Sequence, residues 1–159
     1  RQLTTTMVDL DATDRRLLTL LQANNALTNQ ELAVLAHVSP ATCLRRVRRL
    51  VEDGVIERQM AILSADLLGA GLTAILEITL DLQGAEALTA FEDAMAAEDA
   101  VQQCYRVSSG PDFVLIVYVD AMAAYHAFVH RALTAERNVR NVRSFFSVRR
   151  SKFAPVLPI

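Results

Sequence analysis

Four arginines crowd one short stretch of the chain. Between Pro40 and Leu50 stand Arg45, Arg46, Arg48 and Arg49, with no acid among them. A guanidinium is a planar fork of donors that can read guanine O6 and N7 or clamp a phosphate, so arginines gathered on one helix face point to nucleic-acid chemistry. On a wheel at about 100° per residue, Leu44, Val47 and Val51 fall on one side and are expected to face the domain. Thr42, Arg45, Arg46 and Arg49 fall opposite, and Arg48 flanks the apolar side. A recognition helix needs this separation, because one stripe anchors it while the other enters the major groove. On an isolated helix such a charge run ordinarily means a solvated face. The elements around it shift the reading towards DNA.

Those elements begin at Asp11-Ala-Thr-Asp14, an acidic helix start followed by Leu17, Leu18 and Leu21 at helical spacing. Asn24-Asn25 breaks that helix. Thr28-Asn-Gln-Glu31 is a capping box, and Leu32, Leu35 and Ala36 give the second helix an apolar side. After the short His37-Val38 turn, Ser39 is a good N-cap and Pro40 suits the first helical position. The third helix runs to Gly54, a residue type common just past a helix end. Three helices with two short connections form a helix-turn-helix, and Val55–Leu63 reads as a short strand pair or wing. Ser39, Thr42, Arg45, Arg46, Arg48 and Arg49 are the candidate DNA-binding residues. Arg48 and Arg49 are expected to touch phosphate, and Thr42, Arg45 and Arg46 to read base edges.

The second half changes period. Leu72, Ala74, Leu76, Ile78, Leu80 and Leu82 alternate as a strand does, and Leu88, Phe91 and Met95 mark a helix. Val101–Val107 is a strand, Ser108–Pro111 a turn, and Phe113–Val119 a third strand. Tyr125, Phe128, Val129 and Leu133 mark another helix, and Val142–Val148 is the last strand. The order β-α-β-β-α-β is ferredoxin-like, with helices on one face of an antiparallel sheet. The other face, holding Ile75 and Ile116 or their neighbours, is left uncovered and predicts dimerisation. The fold class is therefore α+β: a winged-helix-like N-terminal helix-turn-helix domain (7–63), a linker (64–71) and a C-terminal ferredoxin-like βαββαβ domain (72–159). Residues 1–6 read as a vector-derived tail ahead of Met7.

The bulk numbers bound the function. The chain has 159 residues, 52% hydrophobic, and a net charge of −2, so it is neither disordered nor wholly basic. The charge is distributed unevenly. Met60–Tyr105 holds eight acids and no Lys or Arg, whereas Arg131–Lys152 holds seven basic residues and one acid. The basic Arg137–Lys152 stretch is expected to balance the acidic first half of its domain across subunits. No apolar run reaches the roughly 18 residues of a spanning helix, the N-terminus lacks a signal-peptide pattern, and Cys43 and Cys104 read as small buried apolar residues. A cytoplasmic protein is expected. His126 and His130, four apart on one helix, have a metal-compatible spacing but no third ligand, so a partly exposed helix face is expected.

Taken together, Ser39-Pro-Ala-Thr-Cys-Leu-Arg-Arg-Val-Arg-Arg-Leu50 followed by Gly54-Val-Ile resembles the Lrp/AsnC (feast/famine) transcription regulators. The opening Leu10–Leu18, the Leu-Pro-Ile ending, and Asp112-Phe-Val-Leu115 followed by Asp120, Tyr125, Phe128 and Leu133 resemble the family too. The resemblance covers nearly all of the chain after Met7. It implies a regulator that binds double-stranded DNA, with homodimers assembling into higher oligomers such as an octamer. It also implies a small effector, an amino acid, bound between dimers; no cofactor and no membrane partner are expected. The effector loop corresponds to Ser108, Ser109, Gly110, Pro111 and Asp112, with Ser144 on the last strand. Three departures stand out: Ser109 occupies the usual glycine position, Pro111 lacks a donor, and Val142 replaces a common threonine. For Asp112, closing its own turn is an equal alternative.

No nucleophile elbow, phosphate loop or metal-hydrolase pattern marks an enzyme. Two alternatives to a regulator are a sirohaem-decarboxylase-like enzyme, for which His126, His130 or Arg106 could be enlisted, and a stand-alone amino-acid sensor. A decarboxylase should bind sirohaem with a visible absorption band and need no DNA. A sensor would have no use for the arginine stripe.

Overall fold

A computed structural model describes residues 8–69, 71–134 and 138–159. The expected 1–6 tail lies outside the described residues. The chain divides into two compact units, 1–62 with 153–159, and 63–152. The last seven residues thus group with the N-terminal unit rather than with the ferredoxin-like one.

In the first unit, α1 (Ala12–Ala23) opens on a capping box in which Asp11 accepts from the Asp14 N–H and Asp14 answers to the Asp11 N–H. Helix α2 (Asn29–Ala36) opens on the expected Thr28–Glu31 box and ends at His37, which takes the left-handed conformation (φ 57°) that turns the chain sharply. Ser39 then caps α3 (Pro40–Glu52), with proline in the first turn. Gly54 follows at φ 73°, where a Cβ would be strained. Leu17, Leu32, Ala33, Ala36 and Cys43 form the small core, with Leu20, Leu21, Leu27, Val38 and Val47 packed against it. The expected strand pair at 55–63 does not form: beyond Ile56 this segment is irregular and exposed. Gln59 is held by a side-chain bond to Asn25 at 3.0 Å instead of a ladder. The C-terminal segment belongs here through Gln22, whose amide both donates to the Leu157 carbonyl (3.1 Å) and accepts from its N–H (2.8 Å).

The second unit begins with a short helix, α4 (Ala65–Leu68), inside the expected linker. Then come β1 (Leu72–Leu80), α5 (Ala85–Ala96), β2 (Val101–Arg106), β3 (Phe113–Val119), α6 (Met122–Ala132) and β4 (Val139–Phe146). The sheet order is β2-β3-β1-β4, with every neighbouring pair antiparallel. The ferredoxin-like arrangement read from the sequence is the one found. Ala74, Leu76, Ile78 and Leu80 alternate with Phe113, Leu115 and Val117 on the buried face, under Phe91 and Met95 of α5 and Tyr125 and Phe128 of α6.

Strand β4 starts earlier than Val142, because Val139 pairs with Leu80 across an irregularity, and it ends at Phe146. Its outward positions are Asn141, Arg143 and Phe145, so polar side chains mask the alternation. The opposite face of the sheet carries Ile75, Ile116, Phe145 and Tyr105 by register. Ile75 is 38% and Tyr105 53% exposed, so this face has no helix over it. Three arginines of the second half meet acids of their own chain: Arg131 with Glu98, Arg140 with Asp81, and Arg143 with Glu77. Two of these, Arg140 and Arg143, fall in the basic stretch expected to balance acids across subunits. Arg137 lies outside the described residues.

Candidate nucleic-acid interface and effector loop

The recognition helix is rotated by about 70°, less than one residue step at about 100°, from its expected setting. Cys43 and Leu50 are wholly buried and Val47 is half-buried. Leu44 and Val51, expected inside, are 49% and 47% exposed. Both phases offer apolar residues at i, i+3/4 and i+7, so periodicity could not separate them. The partner helix decides.

Asp14 on α1 is 1% exposed, and a carboxylate in that position needs cations. Arg46 and Arg49 supply them. Arg46 Nη1 lies 2.9 Å from Asp14 Oδ1 and 2.6 Å from Asp11 Oδ2, and Arg49 Nη2 lies 2.5 Å from Asp14 Oδ2. Each arginine also buries its Nε, which has no hydrogen-bond partner among the described residues. The Asp14 backbone N–H and then Arg46 hold the Asp11 carboxyl below its ordinary range. Asp11 and Asp14 in turn hold the Arg46 guanidinium more firmly protonated.

The expectation that Arg46 and Arg49 face outward with Arg45 while Arg48 hugs the core is therefore corrected. Arg45 and Arg48 are the exposed pair, and Arg46 and Arg49 turn towards α1. Ala41, Leu44, Arg45, Arg48, Arg49 and Glu52 line one shallow depression on this side. Thr42 is half-buried and its hydroxyl accepts from Ser39 Oγ at 2.9 Å, so both residues also serve the helix cap. Sequence reasoning missed the role of Asp14. A signal was present: Asp14 stands three and four residues before Leu17 and Leu18, in the buried phase of α1.

The loop Val107–Asp112 closes one end of the sheet. Ser109 (φ 69°) and Gly110 (φ 104°) both take positive φ, so a serine stands where glycine is favoured. Asp112 ties loops together: its Oδ2 accepts from the Leu80 N–H at 2.7 Å and from Gln83 Nε2 at 3.1 Å. Its own N–H donates to Ile78, and its carbonyl accepts from the Val107 N–H. Asn138 joins the same end, exchanging two hydrogen bonds of 2.8 Å with the Leu82 backbone. Ser108, Ser109, Gly110 and Asp112 are thus gathered on one loop.

Ser144 is not with them. It sits opposite Leu76, two strands from β3 or about 10 Å at the usual spacing, on the helix-covered face, and its hydroxyl bonds Tyr125 OH at 2.5 Å. His126 and His130 are exposed on α6. Among the described residues, no group of three His, Cys, Asp or Glu is placed to hold a metal. No helix there is long and apolar enough to cross a membrane.

Residues 10–57 match a winged helix-turn-helix DNA-binding family, and residues 73–157 match the Lrp/AsnC ligand binding domain. The chain is 39% identical over 147 residues to a leucine-responsive regulatory protein of Rhizobium meliloti, covering 92% of this chain and 94% of that one. It is 34% identical over 137 residues to the protein of the same name in Escherichia coli K12, covering 86% and 84%. Among solved structures, an AsnC family transcriptional regulator from Agrobacterium tumefaciens superposes with a TM-score of 0.82 at 32% identity, covering 94% of this chain and 97% of that one. A transcriptional regulator from Neisseria meningitidis in complex with L-Met superposes with a TM-score of 0.82 at 29% identity, with the same coverage. These relatives are transcription regulators rather than enzymes, which sets aside the decarboxylase alternative. Fold, paired domains and relatives agree: the chain belongs to the Lrp/AsnC family of DNA-binding transcription regulators.

Proposed function

We propose that α3 meets DNA through its exposed side, with Arg45 and Arg48 as the principal contacts and Leu44 and Thr42 beside them. The observation that carries this reading is the exposure of Arg45 and Arg48 on a capped helix whose other two arginines are occupied by carboxylates. An exposed guanidinium pair beside an apolar residue, Leu44, suits base edges and a thymine methyl in one groove. Two such helices, one per protomer, would address a two-fold site.

The uncovered sheet face around Ile75, Ile116 and Phe145 supports a homodimer, and higher assemblies such as an octamer are consistent with the family. The Ser108–Asp112 loop supports a small-molecule effector. An amino acid is the class favoured by a loop offering backbone N–H groups and a fixed acid, and by the L-Met in the solved Neisseria relative.

The contact assignment is tested by titrating a duplex from upstream of the protein's own gene with Arg45→Ala and Arg48→Ala. Loss of a bidentate arginine–guanine contact costs about 1–3 kcal/mol and relaxes specificity at that base pair. Wild-type affinity in both variants would remove these residues from the interface.

A further inference from the structure

We infer that Asp14 is a positioning residue for DNA recognition: its buried carboxylate ties Arg46 and Arg49 to α1, leaving Arg45 and Arg48 as the uncommitted pair that faces the duplex. The inference rests on the contact reading above.

Asp14 stands at the third position of α1, is 1% exposed, and receives one arginine on each oxygen. Its Oδ2 also accepts from the Asp11 N–H at 3.3 Å. The two arginines are three residues apart on α3, as Asp11 and Asp14 are on α1, so one helix face meets the other through matched charge pairs. Asp11 and Asp14 together neutralise Arg46 and Arg49. Drawing an arginine off Asp14 to a phosphate removes one of the two cations that compensate a desolvated carboxylate, which is costlier than exchanging an exposed ion pair. The cluster therefore has two effects. It fixes the rotation of α3 against α1, and it withdraws two of four cations from indiscriminate phosphate binding. A helix with all four arginines free would bind DNA with a steeper salt dependence and less discrimination.

The experiment uses the full chain and two duplexes of equal length, one selected from a random pool by the wild-type protein and one scrambled. Affinities are measured by fluorescence anisotropy across a salt series, with folding checked by circular dichroism at the assay temperature. Asp14→Asn keeps the side-chain size and removes the charge. The slope of log affinity against log salt should steepen by about 0.9 for each arginine released to phosphate. The selected-to-scrambled affinity ratio should fall about tenfold or more, the scale of one lost base contact. Asp14→Glu, which restores the charge, should regain part of that ratio. A folded Asp14→Asn protein with wild-type slope and ratio overturns the inference.

Asp11→Asn keeps the cap, because asparagine caps as well as aspartate, and frees one of the two carboxylate bonds of Arg46. It should steepen the slope in the same direction by a smaller amount. Should Asp14→Asn fail to fold, an unchanged slope in Asp11→Asn overturns the inference. Arg48→Ala separates the two readings. An unchanged slope there counts against the contact assignment, whereas the Asp14 and Asp11 variants alone decide the positioning role.

Discussion

Single carboxylates do much of the organising in the N-terminal unit. Asp11 and Glu31 each close a capping box, and both are held below their ordinary values of 3.8 and 4.5. In Asp11 the first cause is the Asp14 backbone N–H, and in Glu31 it is the Thr28 backbone N–H. A depressed folded-state pKa stabilises the fold at pH values above the unfolded pKa, and that contribution disappears as pH falls through the folded value. These two groups should therefore leave the melting temperature flat above about pH 5 and lower it progressively in more acidic solution. Thermal melts from pH 7 to pH 3 should show that fall, and the Asp11→Asn, Glu31→Gln double variant should show a shallower one. An equally steep acid transition in the double variant would mean that other groups govern it.

At the scale of elements, one loop is tied to a strand and to the segment that follows it. The Asp112 carboxylate bridges β1 and the segment after it through Leu80 and Gln83, so a ligand engaging this loop meets a fixed acid rather than a mobile one. Removing the carboxylate strands the Leu80 N–H, at a cost of about 1–3 kcal/mol. A thermal-shift screen of the twenty amino acids should find one or a few that raise the melting temperature. Saturation at a hundredfold excess over Kd corresponds to about 2.7 kcal/mol of added stability. Asp112→Ala should melt lower and lose the ligand response. No response from the wild type across all twenty would argue for a different ligand class or an effector-independent regulator.

For the whole molecule, the open face of the sheet is the main unfinished surface. Helices α5 and α6 cover one side, while Ile75 and Phe145 remain 38% and 42% exposed on the other, paired directly across the β1–β4 ladder. Arg143 lies over the Phe145 ring and pairs with Glu77, so the patch has an apolar centre and a charged border, the anatomy of a protein–protein interface. Phe145→Asp places a charge at that centre. Sedimentation should give a dimer or larger for the wild type and a monomer with intact secondary structure for the variant. A variant of undiminished mass would locate the interface elsewhere.

Much of this protein was legible in the sequence because local rules carried it. The caps at Thr28 and Ser39, the turn at His37, the two-residue period of β1 and the order of the second half all follow from backbone satisfaction and burial over neighbouring residues. The boundaries of β4 and the missing wing were less legible. Strand ends depend on the partner's register, and Val55–Leu63 lacks a partner to pair with among the described residues. The rotation of α3 depended wholly on tertiary structure. Leu44, Val47 and Val51 make as good a stripe as Cys43, Val47 and Leu50 on a lone helix. The choice between them belongs to Asp14, thirty-two residues before Arg46, whose buried charge draws two arginines towards α1. Sequence alone placed the arginines on one helix, and the fold decided which of them face outward, because a buried carboxylate outweighs a hydrophobic stripe that has two equivalent phases.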